Sequence, residues 1–167
     1  MVRVINTGGT FNKRYDPVEG NLFVPLDDTA VVEALASMRH GEEIVVGGAI
    51  YKDSLDMDDA DRDLLCKIVA DTMEDRIVIV HGTDTMDKSA AAIDRWLGKK
   101  SGKSVVLTGA MVPFSIDAVE ATANLASAVT AVRYVAPGVF IAMHGMVLPY
   151  GRIVKNRRLG VFEAISE

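Results

Sequence analysis

A single cysteine, Cys66, in 167 residues leaves nothing from which to build a disulfide framework or a thiolate metal site. Aromatic residues are scarce at 6 %, so the 49 % of the chain that is hydrophobic must form a mainly aliphatic interior, and the length suits one domain, residues 1–167, rather than two. Basic residues are in deficit. With 18 Lys and Arg against 23 Asp and Glu, the formal charge of −5 argues against nucleic acid as a partner, and the only basic cluster, Lys155, Arg157 and Arg158, lies near the C-terminus. No apolar run approaches bilayer-spanning length, and the chain enters a strand-like run directly at Met1 with no signal-like leader, so a cytoplasmic protein without membrane contact is expected. His40, His81 and His144 show no metal-ligand spacing, and lone histidines more often pack or cap than ligate. Gly8-Gly9 is not followed by Gly-Lys-Ser or Gly-Lys-Thr, no GxGxxG follows the first strand, and there is no GxSxG elbow; no metal or cofactor is implied.

What the chain does have is short β-branched runs that stop at glycine. Residues 2–5 run into Thr7-Gly8-Gly9-Thr10, and residues 77–80 run into His81-Gly82-Thr83-Asp84-Thr85. A buried strand ending this way delivers polar residues just outside the carboxyl edge of a sheet, where ligands collect in open α/β folds. Glycine admits close approach to the main chain and leaves N–H groups free to hold an anion. Two hydroxyls on such loops point to a nucleophile site.

Between these loops the pattern alternates. Residues 11–21 form a polar loop, followed by a helix opened by Asp27 or Asp28 with Val31, Leu35 and Met38 on one face. A strand over 43–50 precedes a helix over 56–74 carrying Leu64, Leu65, Ile68 and Met73 at helical spacing, with acidic residues in its first turn. After the His81 loop come a helix near 88–97, a turn at 99–103, a strand at 104–107 ending in Thr108-Gly109-Ala110-Met111-Val112-Pro113, a helix over 117–132 and a strand over 138–143. Residues 146–167 read as irregular with one short extended piece. The whole predicts an α/β three-layer fold, a mostly parallel sheet with helices on both faces.

The motifs Thr7-Gly8-Gly9-Thr10, Asp53-Ser54-Leu55-Asp56-Met57, His81-Gly82-Thr83-Asp84-Thr85-Met86, Gly109-Ala110-Met111-Val112-Pro113 and the later Lys155 occur in that order over residues 2–162. Taken together they resemble the N-terminal domain of the bacterial-type L-asparaginases, a family of threonine amidohydrolases. The resemblance implies that Thr10 attacks a side-chain amide and that Thr83, Asp84 and Lys155 form a second triad. It also implies that Ser54 and Asp84 hold the α-carboxylate and α-amino groups and that the Ala110 backbone meets the leaving amide. The chemistry of the residues agrees: a threonine hydroxyl needs a base, and Lys155 beside Asp84 suits a proton shuttle better than a free amine base. The amides of Gly9, Thr10 and Thr83 are available for an oxyanion. A small amino-acid amide is the implied substrate, with asparagine first and glutamine, as in a glutaminase or an ammonia-donating amidotransferase subunit, as the alternative. A non-catalytic amino-acid-binding module is the alternative outside enzymes.

Each residue also has a structural reading. Thr10 could cap a turn, Asp84 or Ser54 could open the helix that follows it, and Lys155 could belong to a solvated basic tail. His81 suits loop packing better than proton transfer. Three departures from the family pattern stand out. The family's loop tyrosine has only Tyr15 as its counterpart, closer to Thr10 than the family spacing. Val112 replaces an arginine, which alters a structural ion pair. A second domain that closes the pocket in longer members has no counterpart here, so a homodimer or higher homo-oligomer is expected.

Overall fold

A computed structural model describes residues 1–165. Its elements are β1 (Val2–Gly8), α1 (Gly9–Asn12, a single turn), β2 (Arg14–Asp16), β3 (Asn21–Phe23), α2 (Thr29–Met38), β4 (Ile44–Lys52), α3 (Asp59–Asp71), β5 (Arg76–Val80), α4 (Met86–Leu97), β6 (Ser104–Thr108), α5 (Ala118–Ala131), β7 (Gly138–Met143), β8 (Met146–Pro149), β9 (Ile153–Asn156) and β10 (Val161–Ala164). Six strands form one sheet in the order β4-β1-β5-β6-β7-β8, parallel except for β8, which pairs antiparallel with β7. This is the three-layer α/β fold expected from the sequence.

The strands read as unbroken apolar runs because both faces are covered. Within β5, Val78 and Val80 join the core under α2 and α5, while Ile77 and Ile79 join the core under α3 and α4. The layers reveal an exception to a general rule of chain topology. The α2 connection steps from β1 to β4 on one face; α3 and α4 step in the opposite direction, to β5 and β6, on the other face, which preserves one hand. The α5 connection continues from β6 to β7 in that same direction but packs on the α2 face, so its hand is opposite to the other three. Parallel crossovers are right-handed in nearly all cases, so β6–α5–β7 is the left-handed one.

Three sequence expectations are corrected. Residues 11–21 are not a simple polar loop: after α1, β2 and β3 pair as an antiparallel hairpin with Tyr15 opposite Leu22. The second long helix starts later than residue 56, because Asp58 and Asp61 form a reciprocal capping box, and it stops at Asp71 where Thr72 turns extended. Met73 therefore lies outside it, 95 % exposed. The C-terminal segment is not irregular: β8 extends the main sheet, and β9 and β10 form a separate hairpin with Lys155 opposite Phe162. Of the span expected over 146–167, Ser166 and Glu167 lie outside the described residues.

Candidate active site

The order β4-β1-β5 makes the β1/β5 pair a topological switch point, since the connections leaving the two strands run to opposite faces. A crevice opens at the carboxyl ends of such strands. The Thr10 loop leaves β1 there, the Thr83 loop leaves β5, and the Gly109 loop leaves the next strand, β6. Three glycine contacts bring the loops together. Gly9, at φ +69°, lies so close to Gly82 that a Cβ would collide with the Gly82 Cα and N. A Cβ on Gly82 would meet the Ser54 Cβ and Oγ at 2.5 and 2.6 Å, and one on Gly109 would strike the His81 carbonyl. Each of Gly9 and Gly82 immediately precedes a candidate threonine, so the closest approach of the two loops falls one residue before each hydroxyl.

Thr83 is buried, and its Oγ1 accepts a hydrogen bond from Lys155 Nζ at 2.8 Å; the same ammonium donates to Asp84 Oδ1 at 2.9 Å. These residues are 71 and 72 apart in sequence, and the β9–β10 hairpin supplies the lysine. Burial alone would raise the Asp84 carboxyl, but hydrogen bonds and charge from Lys155 and then Arg157 hold it below the usual carboxylate range. Arg157 contacts Asp84 Oδ1 through Nη1 and the Asp84 carbonyl through Nη2 at 3.2 Å. Asp84 does not hold the N-cap position of α4, which falls to Thr85. Ser54 is not a helix cap either: Asp58 holds that position, and the Ser54 Oγ is buried with no partner among the described residues. Its carbonyl is anchored by the Thr85 hydroxyl at 2.8 Å. Lys13 pairs with Asp53 at 2.5 Å and ties the segment after Thr10 to the Ser54 loop.

Thr10 sits half-buried in α1, while Thr7 is fully buried and donates to the Val80 carbonyl at 2.9 Å, a structural bridge from β1 to β5. Ala110 is fully buried. Tyr15 stands 61 % exposed on the β2–β3 hairpin, opposite Leu22. A cavity of about 540 Å³ borders Thr83, Asp84 and Lys155 between α4 and the C-terminal hairpin. Thr10, Ser54 and Ala110 do not line it.

The sequence profile described as "Asparaginase, N-terminal" matches residues 1–166. The chain belongs to the asparaginase family. It is 28 % identical to an L-asparaginase of Thermococcus kodakarensis, over 98 % of this chain and 50 % of that protein. It is 30 % identical to a probable periplasmic L-asparaginase of Haemophilus influenzae, over 96 % of this chain and 47 % of that protein. Among solved structures, the thermostable T. kodakarensis L-asparaginase superposes with a TM-score of 0.84 at 27 % identity, covering 99 % of this chain and 51 % of that one. A probable cytoplasmic L-asparaginase from Campylobacter jejuni gives 0.81 at 29 %, covering 98 % and 52 %. The chain thus spans about half the length of the asparaginases it matches.

Within this asparaginase-family chain, sequence reasoning missed Arg157 as a partner of Asp84: it lies in the turn after β9, where no strand period shows which way a side chain faces. It also missed the Glu120, Asn124 and His144 network beneath the Gly109 loop. The second strand of the β7–β8 hairpin had a signal in the His144-Gly145 dipeptide between two apolar runs.

His81 is fully buried, with Nδ1 donating to the Gly82 carbonyl at 2.7 Å and Nε2 unpartnered among the described residues. Burial, opposed by the Gly82 hydrogen bond, lowers its pKa from 6.5 to about 4. Its folded pKa lies below its unfolded value, so the unfolded chain takes the proton first and stability is lost as pH falls from about 6.5 toward 4. The expected loss over that window is on the order of 3 kcal/mol. Thermal melts from pH 7 to 4 should show the decline, and His81→Asn, which keeps a donor for Gly82 without a titrating ring, should flatten it. Parallel declines in the two proteins would refute the assignment.

Proposed function

We propose that this domain hydrolyses L-asparagine to L-aspartate and ammonia through an acyl-threonine intermediate on Thr10. The observation that carries the reading is the Lys155 ammonium held at 2.8 Å from Thr83 Oγ1 and 2.9 Å from Asp84 Oδ1. Thr10 Oγ attacks the side-chain amide carbon, and its proton passes to the departing nitrogen, which leaves as ammonia. Water, deprotonated through the Thr83, Lys155 and Asp84 group, then cleaves the ester and restores the hydroxyl. The Gly9, Thr10 and Thr83 amides serve the oxyanion, a stabilisation of roughly 3 kcal/mol per donor. Ser54 Oγ, buried with no partner among the described residues, suits the α-carboxylate, and Asp84, whose two cationic partners both engage Oδ1, keeps Oδ2 for the α-ammonium. The Ala110 backbone lines the leaving-amide side. Tyr15 joins the site only if the β2–β3 hairpin folds over it, the motion of a lid that excludes water.

The reading includes assembly. Acyl transfer needs water excluded and polar partners on both sides of a zwitterion, and the cavity at Lys155 does not reach Thr10 or Ser54. A homodimer or higher homo-oligomer would close the site. Light scattering at assay concentration checks this; an efficient monomer would overturn it. A cytoplasmic location is part of the proposal, consistent with a lone buried Cys66 and with no helix among the described residues long and apolar enough to cross a membrane. Ammonia release from asparagine, with glutamine in parallel, tests the activity. Faster release from glutamine would assign a glutaminase or amidotransferase role, and ligand binding without release from either would assign a binding module.

A further inference from the structure

The turn between β7 and β8 consists of His144 and Gly145, with φ of +50° and +78°. Two-residue hairpin turns with both residues left-handed favour Asn-Gly. Histidine tolerates this conformation but is not the residue the backbone prefers there, which directs attention to its ring. Nδ1 accepts a hydrogen bond from the Phe162 backbone N–H at 3.1 Å, so the ring proton of the neutral form sits on Nε2, which donates to Glu120 Oε1 at 2.9 Å. Only this tautomer satisfies both neighbours. A proton on Nδ1 would face the Phe162 N–H, donor against donor.

The two partners lead to two different segments of the proposed site. Glu120 accepts from the backbone N–H of Met111 at 2.8 Å and of Val112 at 2.9 Å, and Asn124 donates to the Gly109 carbonyl at 3.0 Å while accepting from the His144 N–H at 3.0 Å. These contacts hold the loop that contains Ala110. On the other side, Phe162 stands directly opposite Lys155 in the β9–β10 register, and its ring meets the imidazole edge-on with centroids 6.0 Å apart. Among the described residues the β9–β10 hairpin forms no ladder with the main sheet, so its placement rests on side-chain ties and packing such as this one.

We propose that His144 is a positioning residue of the amidohydrolase reaction, setting the separation between the Gly109–Val112 backbone, which receives the leaving amide, and Lys155, which moves the proton. The proposal rests on the function proposed above and acts through Glu120 and Phe162.

His144→Asn is the decisive variant, because asparagine suits the turn yet is too short to bridge Glu120 and Phe162. It should fold with an undiminished melting temperature, lose about 10- to 100-fold in kcat, and leave KM within about threefold. His144→Gln, with a donor and an acceptor on a longer stem, should recover most of the kcat. A kcat unchanged in His144→Asn, or a loss that His144→Gln does not repair, overturns the proposal, as does a kcat loss that merely follows a fall in melting temperature. If the wild-type protein releases no ammonia from asparagine or glutamine, the proposed function fails separately. The bridge is then read by nitrogen NMR of His144, where a proton on Nδ1 in the wild-type protein would refute it and faster exchange of the Phe162 amide in His144→Asn would support it.

Discussion

If the proposed reaction is correct, Thr10→Ala and Thr83→Val should each abolish ammonia release from asparagine while leaving the chain folded. The expected loss is about 10³-fold or more for either, because the proposed mechanism puts both hydroxyls in series on the path of the proton and the acyl group. Thr10 is half-buried on the one-turn α1, so removing its hydroxyl leaves no cavity in either core. Thr83→Val is nearly isosteric and removes the acceptor of the 2.8 Å Lys155 hydrogen bond while Asp84 still holds the ammonium, so the stability change should stay near 1 kcal/mol. Groups that act as one unit are not additive, and the double variant should be little worse than either single one. Thr83→Ser should retain measurable turnover. Ammonia assays alongside thermal melts check the set, and near wild-type turnover in either single variant would show that the two-threonine mechanism does not operate here.

Gly9→Ala should be strongly damaging to both stability and turnover. The comparison that isolates the reason is Gly102→Ala: the two glycines have φ of +69° and +70°, but a Cβ on Gly102 meets nothing within 4 Å. Both changes carry the left-handed backbone penalty of about 1–2 kcal/mol. At Gly9 the new Cβ also runs into the Gly82 backbone, which cannot swing away as a flexible side-chain tip would, and that contact adds about 1–3 kcal/mol. The Thr10 and Thr83 loops must then separate, so turnover should fall by about 100-fold even in folded protein. Denaturation midpoints and ammonia release measured on the two variants decide the matter. Equal shifts would mean that the Gly9–Gly82 approach is incidental to the site.

The loops bearing Thr10 and Thr83 are legible in the sequence alone. The apolar runs at β1, β5, β6 and β7 and their glycine stops carry local information: a segment buried on both faces must be apolar throughout, and a chain that turns sharply at a sheet edge needs glycine there. The long helices were equally legible from their spacing, though Asp58 caps α3 and the helix begins at Asp59 rather than residue 56, because an acidic stretch offers several caps and only the backbone decides which one closes the box. The β2–β3 and β9–β10 hairpins were not legible, since strands of three and four residues are too short to show a period.

Sequence by itself determined the fold class, the family and the loops bearing Thr10, Ser54, Thr83 and Gly109, because each of these depends on a residue and its near neighbours. Tertiary structure alone decided what those loops touch. The opposite hand of the α5 crossover places Glu120 and Asn124 beneath the Gly109 loop, and no local pattern encodes the side of the sheet on which a helix packs. The delivery of Lys155 to Thr83 across 72 residues, the contact of Gly9 with Gly82, and the Ser54 hydroxyl buried with no partner among the described residues follow from closure of the whole chain. Each is a distance between segments far apart in sequence, set by how the strands order and the helices pack.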